Sequence, residues 1–365
     1  MPTADELLSA ATVAELAERL RAADGRRRWT AVAASTGSFA ELGLSDRARA
    51  VAAALLEDLP DDYAGTARIV RRALRDEGLR GWMTWPVGEA VTARALASEG
   101  ADDFEDGLAL LAELTGRLSS EFAIRGFLLA DLDRSLSTVL TWAGSEDEDV
   151  RRLASEGTRP RLPWGRRVPK LFERPGATLP ILEALHCDPS EYVRRSVANH
   201  LNDVSRLDPA LAVATARGWL REDDPDSVRL VKRALRTLIK DADPEALALF
   251  GFAPVSELRV EGLRLDAATV AVGESLGFSA ALTNGGEEAC ELAIDYVVGH
   301  RKANGELRPK VFKLTTRRLA PGERLELSRR HSFKPITTRR YYPGPHTIEL
   351  QVNGVRQGMA EFELT

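Results

Sequence analysis

Cysteine is almost missing: Cys187 and Cys290 are the only two in 365 residues. They cannot build a disulfide framework or a cysteine-based zinc site, which fits a reducing cytoplasm. No apolar run approaches the roughly 18 residues that a membrane span needs. The N-terminus carries Asp5 and Glu6 and then an Ala, Glu and Arg-rich stretch. It lacks the basic start and apolar core of a signal peptide, so the expected location is the cytoplasm. The five histidines fall into no metal-ligand spacing, and His186 beside Cys187 reads as part of a packed core. The glycines form no phosphate-binding fingerprint, and no Ser, His and Asp set stands out. No metal and no cofactor is expected.

What is present is ordinary globular composition: 44% apolar and 29% charged, with 28 Gly and 18 Pro, which excludes collagen, disorder and coiled coil. The length allows two domains, and the hydrophobic pattern changes once. From Asp5 to about Phe252 apolar residues recur at three and four positions, as in Phe104, Leu108, Leu111, Leu114, Leu118 and in Val193, Val197, Leu201. After Pro254 they alternate: Leu258, Val260, Leu263; Val270, Val272; Leu292, Ile294, Tyr296; Val311, Phe312, Leu314; Leu325, Leu327; Ile348, Leu350, Val352. Turn chemistry separates these runs at Asn284-Gly285-Gly286, Asn304-Gly305, Pro321-Gly322, Pro343-Gly344-Pro345 and Asn353-Gly354. The fold class is therefore an α-solenoid over 1–253 followed by an Ig-like antiparallel β-sandwich of about seven strands over 254–365. All six tryptophans precede residue 220, and the second part holds one cysteine. The disulfide and core Trp of antibody domains are thus absent, and "Ig-like" describes architecture only.

The helical part repeats itself. Asp188-Pro189-Ser190-Glu191-Tyr192-Val193-Arg194-Arg195 resembles Asp224-Pro225-Asp226-Ser227-Val228-Arg229 and, more distantly, Glu146-Asp147-Glu148-Asp149-Val150-Arg151-Arg152. An acid is placed to cap each helix, and where Pro follows it the first helical position tolerates its missing N–H; Glu191 also suits a capping box with Asp188. The aligned valines stand 43 and 35 residues apart, the period of HEAT-type helical pairs, which stack with an extended concave face. Asp208-Pro209 and Asp243-Pro244 begin further helices in the same style.

A net charge of −5 argues against a nucleic-acid partner, but the charge is unevenly placed. Residues 151–170 hold seven basic residues (Arg151, Arg152, Arg159, Arg161, Arg166, Arg167, Lys170) and one acid, Glu156. A helix expected over 227–240 carries Arg229, Lys232, Arg233, Arg236 and Lys240 and no acid. Residues 301–340 hold 13 basic residues and three acids. Each run alone is explained by a solvated face; three on two domains suggest one polyanion crossing both. The segment 159–170 adds three prolines and Trp164 to five basic residues. Either it holds an aromatic ring and guanidinium groups toward a nucleic-acid strand, or Trp164 plugs the core of an inter-repeat loop.

The acid-led Val-Arg helices are joined by Ser119-Ser120-Glu121-Phe122-Ala123-Ile124-Arg125 and by the stretch from Arg152-Leu153-Ala154-Ser155-Glu156-Gly157 to Arg161-Leu162-Pro163-Trp164. With Val193-Arg194-Arg195-Ser196-Val197-Ala198-Asn199-His200-Leu201-Asn202-Asp203, these resemble the HEAT-repeat DNA glycosylases of the AlkC/AlkD superfamily, most closely the AlkC branch with its C-terminal Ig-like domain. The resemblance implies a monofunctional hydrolase and monomer of the bacterial cytosol and nucleoid. It would excise positively charged alkylated bases, N3-methyladenine and N3-methylcytosine, from double-stranded DNA without full base flipping and leave an abasic site. A cationic base is already a good leaving group, so the enzyme has to stabilise the cationic sugar and position water, work suited to a carboxylate.

Glu121, Glu156 and Asp203 lie in the family-like stretches and are the catalytic candidates. Each also has a plain reading: a salt bridge from Glu121 to Arg125, a solvated acid at Glu156, a turn or capping acid at Asp203. The DNA and lesion contacts implied are Trp164, Arg152, Arg159, Arg161, Arg166, Lys170, Arg194, Arg195, Asn199, Arg229, Lys232 and Arg233. The competing function is a non-catalytic HEAT-repeat scaffold that binds DNA or an acidic protein.

Overall fold

The structure is a computed structural model that describes residues 3–25, 28–221, 224–335 and 340–365. It divides into two compact units: one runs through Ala212 and includes Trp219–Ala234, the other joins Val213–Gly218 to Leu235–Thr365.

The first unit is helical, with short connections. Local chemistry sets its helix ends. Asp147 caps the helix Glu148–Glu156 by accepting from the Asp149 N–H at 2.8 Å. Asp208 and Asp224 do the same for Leu211 and Asp226, both at 2.9 Å. The helix Asp103–Thr115 buries Phe104, Leu108, Leu111 and Leu114, and stops before Leu118. Val193, Val197 and Leu201 are buried on the helix Glu191–Val204.

That helix does not use the expected capping box. Ser190 is its N-cap, and Asp188 instead accepts from the Ser190 N–H at 2.8 Å and from Arg151 Nε at 2.7 Å. The second of these bonds belongs to a recurring stitch. Arg151 donates to the Ser145 and Glu146 carbonyls and pairs with Asp188. Arg194, at the matching position, donates to the Asp188 and Pro189 carbonyls and pairs with Asp226 at 3.3 Å. Each arginine thus closes the turn before its own helix and reaches the acid of the next motif, so Glu148–Glu156, Glu191–Val204 and Pro225–Ala234 pack in succession. The helix expected over 227–240 is two helices, Pro225–Ala234 and Arg236–Lys240, broken at Leu235. Cys187, expected in the core, is exposed, and half-buried His186 stacks on Trp219 at 5.0 Å.

The second unit contains the sandwich: β1 (Leu258–Leu265), β2 (Thr269–Val270), β3 (Ser275–Asn284), β4 (Cys290–Arg301), β5 (Leu307–Leu319), β6 (Arg324–Ser332), β7 (Gly344–Val352) and β8 (Val355–Leu364). One sheet has the order β1-β3-β6 and the other β2-β8-β7-β4-β5. Pairing is antiparallel except between β2 and β8. Phe278 of the first sheet and Tyr296, Ile348 and Phe362 of the second share one core cluster; Leu282, Leu292, Ile294 and Leu350 share another. At the β7–β8 hairpin both Asn353 and Gly354 have positive φ, 47° and 79°, the two-residue turn that suits a twisted antiparallel pair. Asn353 also ties its surroundings by donating to the Ala253 and Glu291 carbonyls and accepting from the Ala293 N–H. Three of the five histidines meet in this domain: the His300 ring lies 6.0 Å from those of His331 and His346.

Candidate active site

Three separated stretches of the helical unit deliver three carboxylates to one network. Glu121 sits in the turn before the helix Ile124–Ala130, Glu156 ends the helix Glu148–Glu156, and Asp203 lies in the last turn of Glu191–Val204. The C-terminal ends of helices are unfavourable for anions, so the last two need cationic partners. Arg159 supplies both, binding Glu156 at 2.5 Å and Asp203 at 2.9 Å. Arg152 binds Glu121 at 2.7 Å and stands 3.9 Å from Glu156. The charges alternate as Glu121, Arg152, Glu156, Arg159, Asp203.

Neutral groups complete the network. Ser119 donates to Glu121 at 2.9 Å, Ser196 to Glu156 at 2.7 Å, and the Arg161 N–H to Asp203 at 3.3 Å. Arg152 also lies over the Tyr192 ring at 5.0 Å. Both oxygens of Glu156 are occupied, whereas no hydrogen bond reaches Glu121 Oε1 or Asp203 Oδ1 among the described residues. Burial raises the Asp203 carboxyl above the ordinary range, and Arg159 opposes that shift. Glu121 is therefore not paired with Arg125: the Arg152 guanidinium reaches it from the next motif, and Arg125 turns to backbone carbonyls. Glu156 is buried, so it is not a solvated acid, and Asp203 accepts a guanidinium instead of capping a helix.

Beneath Glu156, His200 is fully buried between the Ser155 carbonyl at Nδ1 and the Thr178 hydroxyl at Nε2. A carbonyl can only accept, so Nδ1 carries the proton. Burial lowers this imidazole to about 3, and the ring stays neutral.

Loop 157–168 connects Glu148–Glu156 to the helix Pro169–Glu173. Leu162 and Val168 are its buried anchors, while Trp164 is 61% exposed and adopts φ 62°. The core-plug reading of Trp164 fails because the two aliphatic side chains already fill that role. Trp164 stands at the end of an aromatic row instead: its ring is 6.3 Å from Trp82, Trp82 is 6.0 Å from Trp85, and Trp85 stacks on Phe122 at 4.2 Å. Arg166 reaches Glu89 at 3.1 Å, and Trp85 Nε1 donates to the same carboxyl. Burial raises Glu89 despite the nearby Arg166. Thr84–Ala97, the helix of Trp85 and Glu89, packs closely on 123–126; a Cβ on Gly126 would lie 2.4 Å from Thr92. Trp82, Trp85 and Glu89 had no distinguishing motif in the sequence, and Ser196, within a family-like stretch, was not singled out.

The basic candidates divide into two groups. Arg159, expected at a phosphate, is buried and spent on Glu156 and Asp203; Arg152 and Arg194 are also engaged inside the unit. Arg161 and Arg167 lie over the Phe172 ring at 5.5 and 5.4 Å. Arg166, Lys170, Arg195, Arg229, Lys232 and Arg233 are exposed, and Asn199 is half-buried. A groove between Glu191–Val204 and Pro225–Ala234 is lined by Arg194, Arg195, Arg229 and Arg233 together with Glu191 and Asp226.

An alternating acid and guanidinium network in stacked helices, in a chain that also carries an Ig-like sandwich, defines the class: a two-domain helical-repeat protein with a buried carboxylate site. A family model described as the C-terminal Ig-like domain of the uncharacterised protein YhaZ matches residues 259–365. The chain is 38% identical over 325 residues to the uncharacterised protein YhaZ of Bacillus subtilis, covering 89% of this chain and 88% of that one. The solved structure of Pseudomonas fluorescens alkylpurine DNA glycosylase AlkC, bound to DNA containing an abasic site analogue, superposes with a TM-score of 0.80 at 32% identity, covering 100% of this chain and 99% of the other. The chain belongs to the AlkC branch of the AlkC/AlkD family.

Proposed function

We propose that this protein is a monomeric DNA glycosylase of the cytosol that hydrolyses the N-glycosidic bond of cationic alkylated bases, N3-methyladenine and N3-methylcytosine among them, in duplex DNA. The carrying observation is the Glu121, Arg152, Glu156, Arg159, Asp203 network, three acids against two guanidinium groups, near a loop that exposes Trp164.

The C1′–N bond breaks with its electron pair going to the base, which leaves neutral. The positive charge then sits on the sugar, where the acids lower its energy. Water attacks C1′ and gives its proton to a carboxylate with an unoccupied oxygen. Glu121 and Asp203 meet that condition, and Glu156, with both oxygens bonded, holds Arg152 and Arg159 in place. An exposed ring on an outward loop and cationic side chains beside it suit a lesion that stays in the duplex rather than entering a deep pocket.

The test is chromatography of bases freed from methylated duplex. Release of free methylated base supports the reading. Binding without release would return the chain to the scaffold alternative.

A further inference from the structure

The surroundings of Arg125 are unusual for an arginine. Its relative exposure is 0%. Nε donates to the Arg166 carbonyl at 2.8 Å, and Nη1 donates to the Gly157 and Arg159 carbonyls at 3.1 and 2.6 Å. No carboxylate binds it, and Nη2 has no partner among the described residues. Burying a guanidinium without an acid is unfavourable, so an ordinary core position would hold an apolar side chain.

We propose that Arg125 is a positioning residue for excision, one that locks both ends of loop 157–168. This rests on the glycosylase reading. The three carbonyls explain the lock. Gly157 and Arg159 open the loop and Arg166 lies near its end, so one planar group fixes the segment that presents Arg159, the Arg161 N–H and Trp164. A loop without helix or strand has few other ways to hold those groups within the tolerance that positioning requires. Neutral acceptors also leave the charge of Arg125 uncancelled.

Burial and the like charges of Arg167, Arg166 and Arg159 pull the guanidinium down to about 10, so it remains a cation at neutral pH.

Full-length wild type, Arg125→Lys and Arg125→Met are compared in two assays. One is single-turnover base release from methylated duplex across about pH 5 to 9. The other is trypsin nicking within 161–167, which needs no activity. Arg125→Lys keeps the charge but cannot span three carbonyls. Its release should fall at least about 10-fold and its loop should be nicked faster. Arg125→Met should lose about 100-fold or more in release and be nicked faster still, while binding undamaged DNA within about threefold of wild type. Wild-type release and wild-type nicking in either folded variant would overturn the proposal. If circular dichroism shows Arg125→Met unfolded, Arg125→Lys decides alone. If wild type releases no base, the glycosylase reading fails, and nicking still decides the lock.

Discussion

Among the described residues, both oxygens of Glu156 are bonded, whereas Glu121 and Asp203 each keep one unbonded. Glu121→Gln and Asp203→Asn keep shape while removing charge, and at least one should slow excision by about 100-fold or more with folding intact, the scale of an electrostatic catalytic group. Glu156→Gln should also slow it, because Arg159 and Arg152 lose their shared acid. Near wild-type single-turnover rates in all three would refute the carboxylate assignment. Trp164→Ala should reduce excision more than binding to undamaged duplex, since its ring is exposed and is not a core anchor; equal losses would remove its role at the lesion. The pH dependence has a definite sign. Asp203 must be ionised to act, and burial raises its folded value, so excision should decline on acidification before an ordinary aspartate would protonate. A raised carboxyl makes the fold bind more protons than the unfolded chain, so Asp203 itself favours folding as pH falls. His200 acts oppositely: with a folded value of about 3 against an ordinary 6.5, its contribution to stability is lost as pH falls below about 6.5. Melting curves of wild type and His200→Gln between neutral and mildly acidic pH should separate the two, the variant being less acid-sensitive.

Among the elements, the β7–β8 hairpin can be tested alone. Asn353→Ala removes three hydrogen bonds from a buried site and leaves the Ala253 and Glu291 carbonyls and the Ala293 N–H without this partner. The expected loss is about 2–4 kcal/mol, visible as a lower melting temperature of the sandwich. The turn itself was legible because Asn-Gly accepts positive φ at both positions, whereas the partners of the Asn side chain lie at distant sequence positions. The apolar runs marked β1, β2, β4, β5, β6 and β7, but not β3 or β8. In β3, Leu276-Gly277-Phe278 and Ala280-Ala281-Leu282 are buried with little alternation; in β8, Gly358 and exposed Met359 blur the period. The helical stitch illustrates the same division: the repeated Asp and Arg could be read in order, but the pairing of Arg151 with Asp188 required the next motif to fold beside it.

For the whole molecule, the basic stretch 301–340 calls for a test in the intact chain, because the helices Arg236–Lys240 and Pro244–Ala248 group with the sandwich and a truncation at 254 would leave them without it. Arg339 lies outside the described residues; Arg308, Lys313 and Arg317 are exposed on β5, an edge strand. Charge on an edge strand also prevents pairing with another chain, a competing reason for these residues. Replacing all three with Glu should weaken DNA binding and flatten the dependence of log affinity on log salt by about 0.9 for each phosphate no longer neutralised. An unchanged slope would leave edge protection as their role. By itself the sequence determined the helical and sandwich parts, the Asp147, Asp208 and Asp224 caps and the Asn353-Gly354 turn, and named three acids as candidates, because periodicity, φ preference and residue chemistry are local properties. Only the tertiary structure decided that Arg152 and not Arg125 binds Glu121, that Arg159 turns inward, and that Trp164 faces out beside Trp82. Such pairings join residues far apart in the chain, and the direction of a long side chain depends on which charges folding brings within its reach.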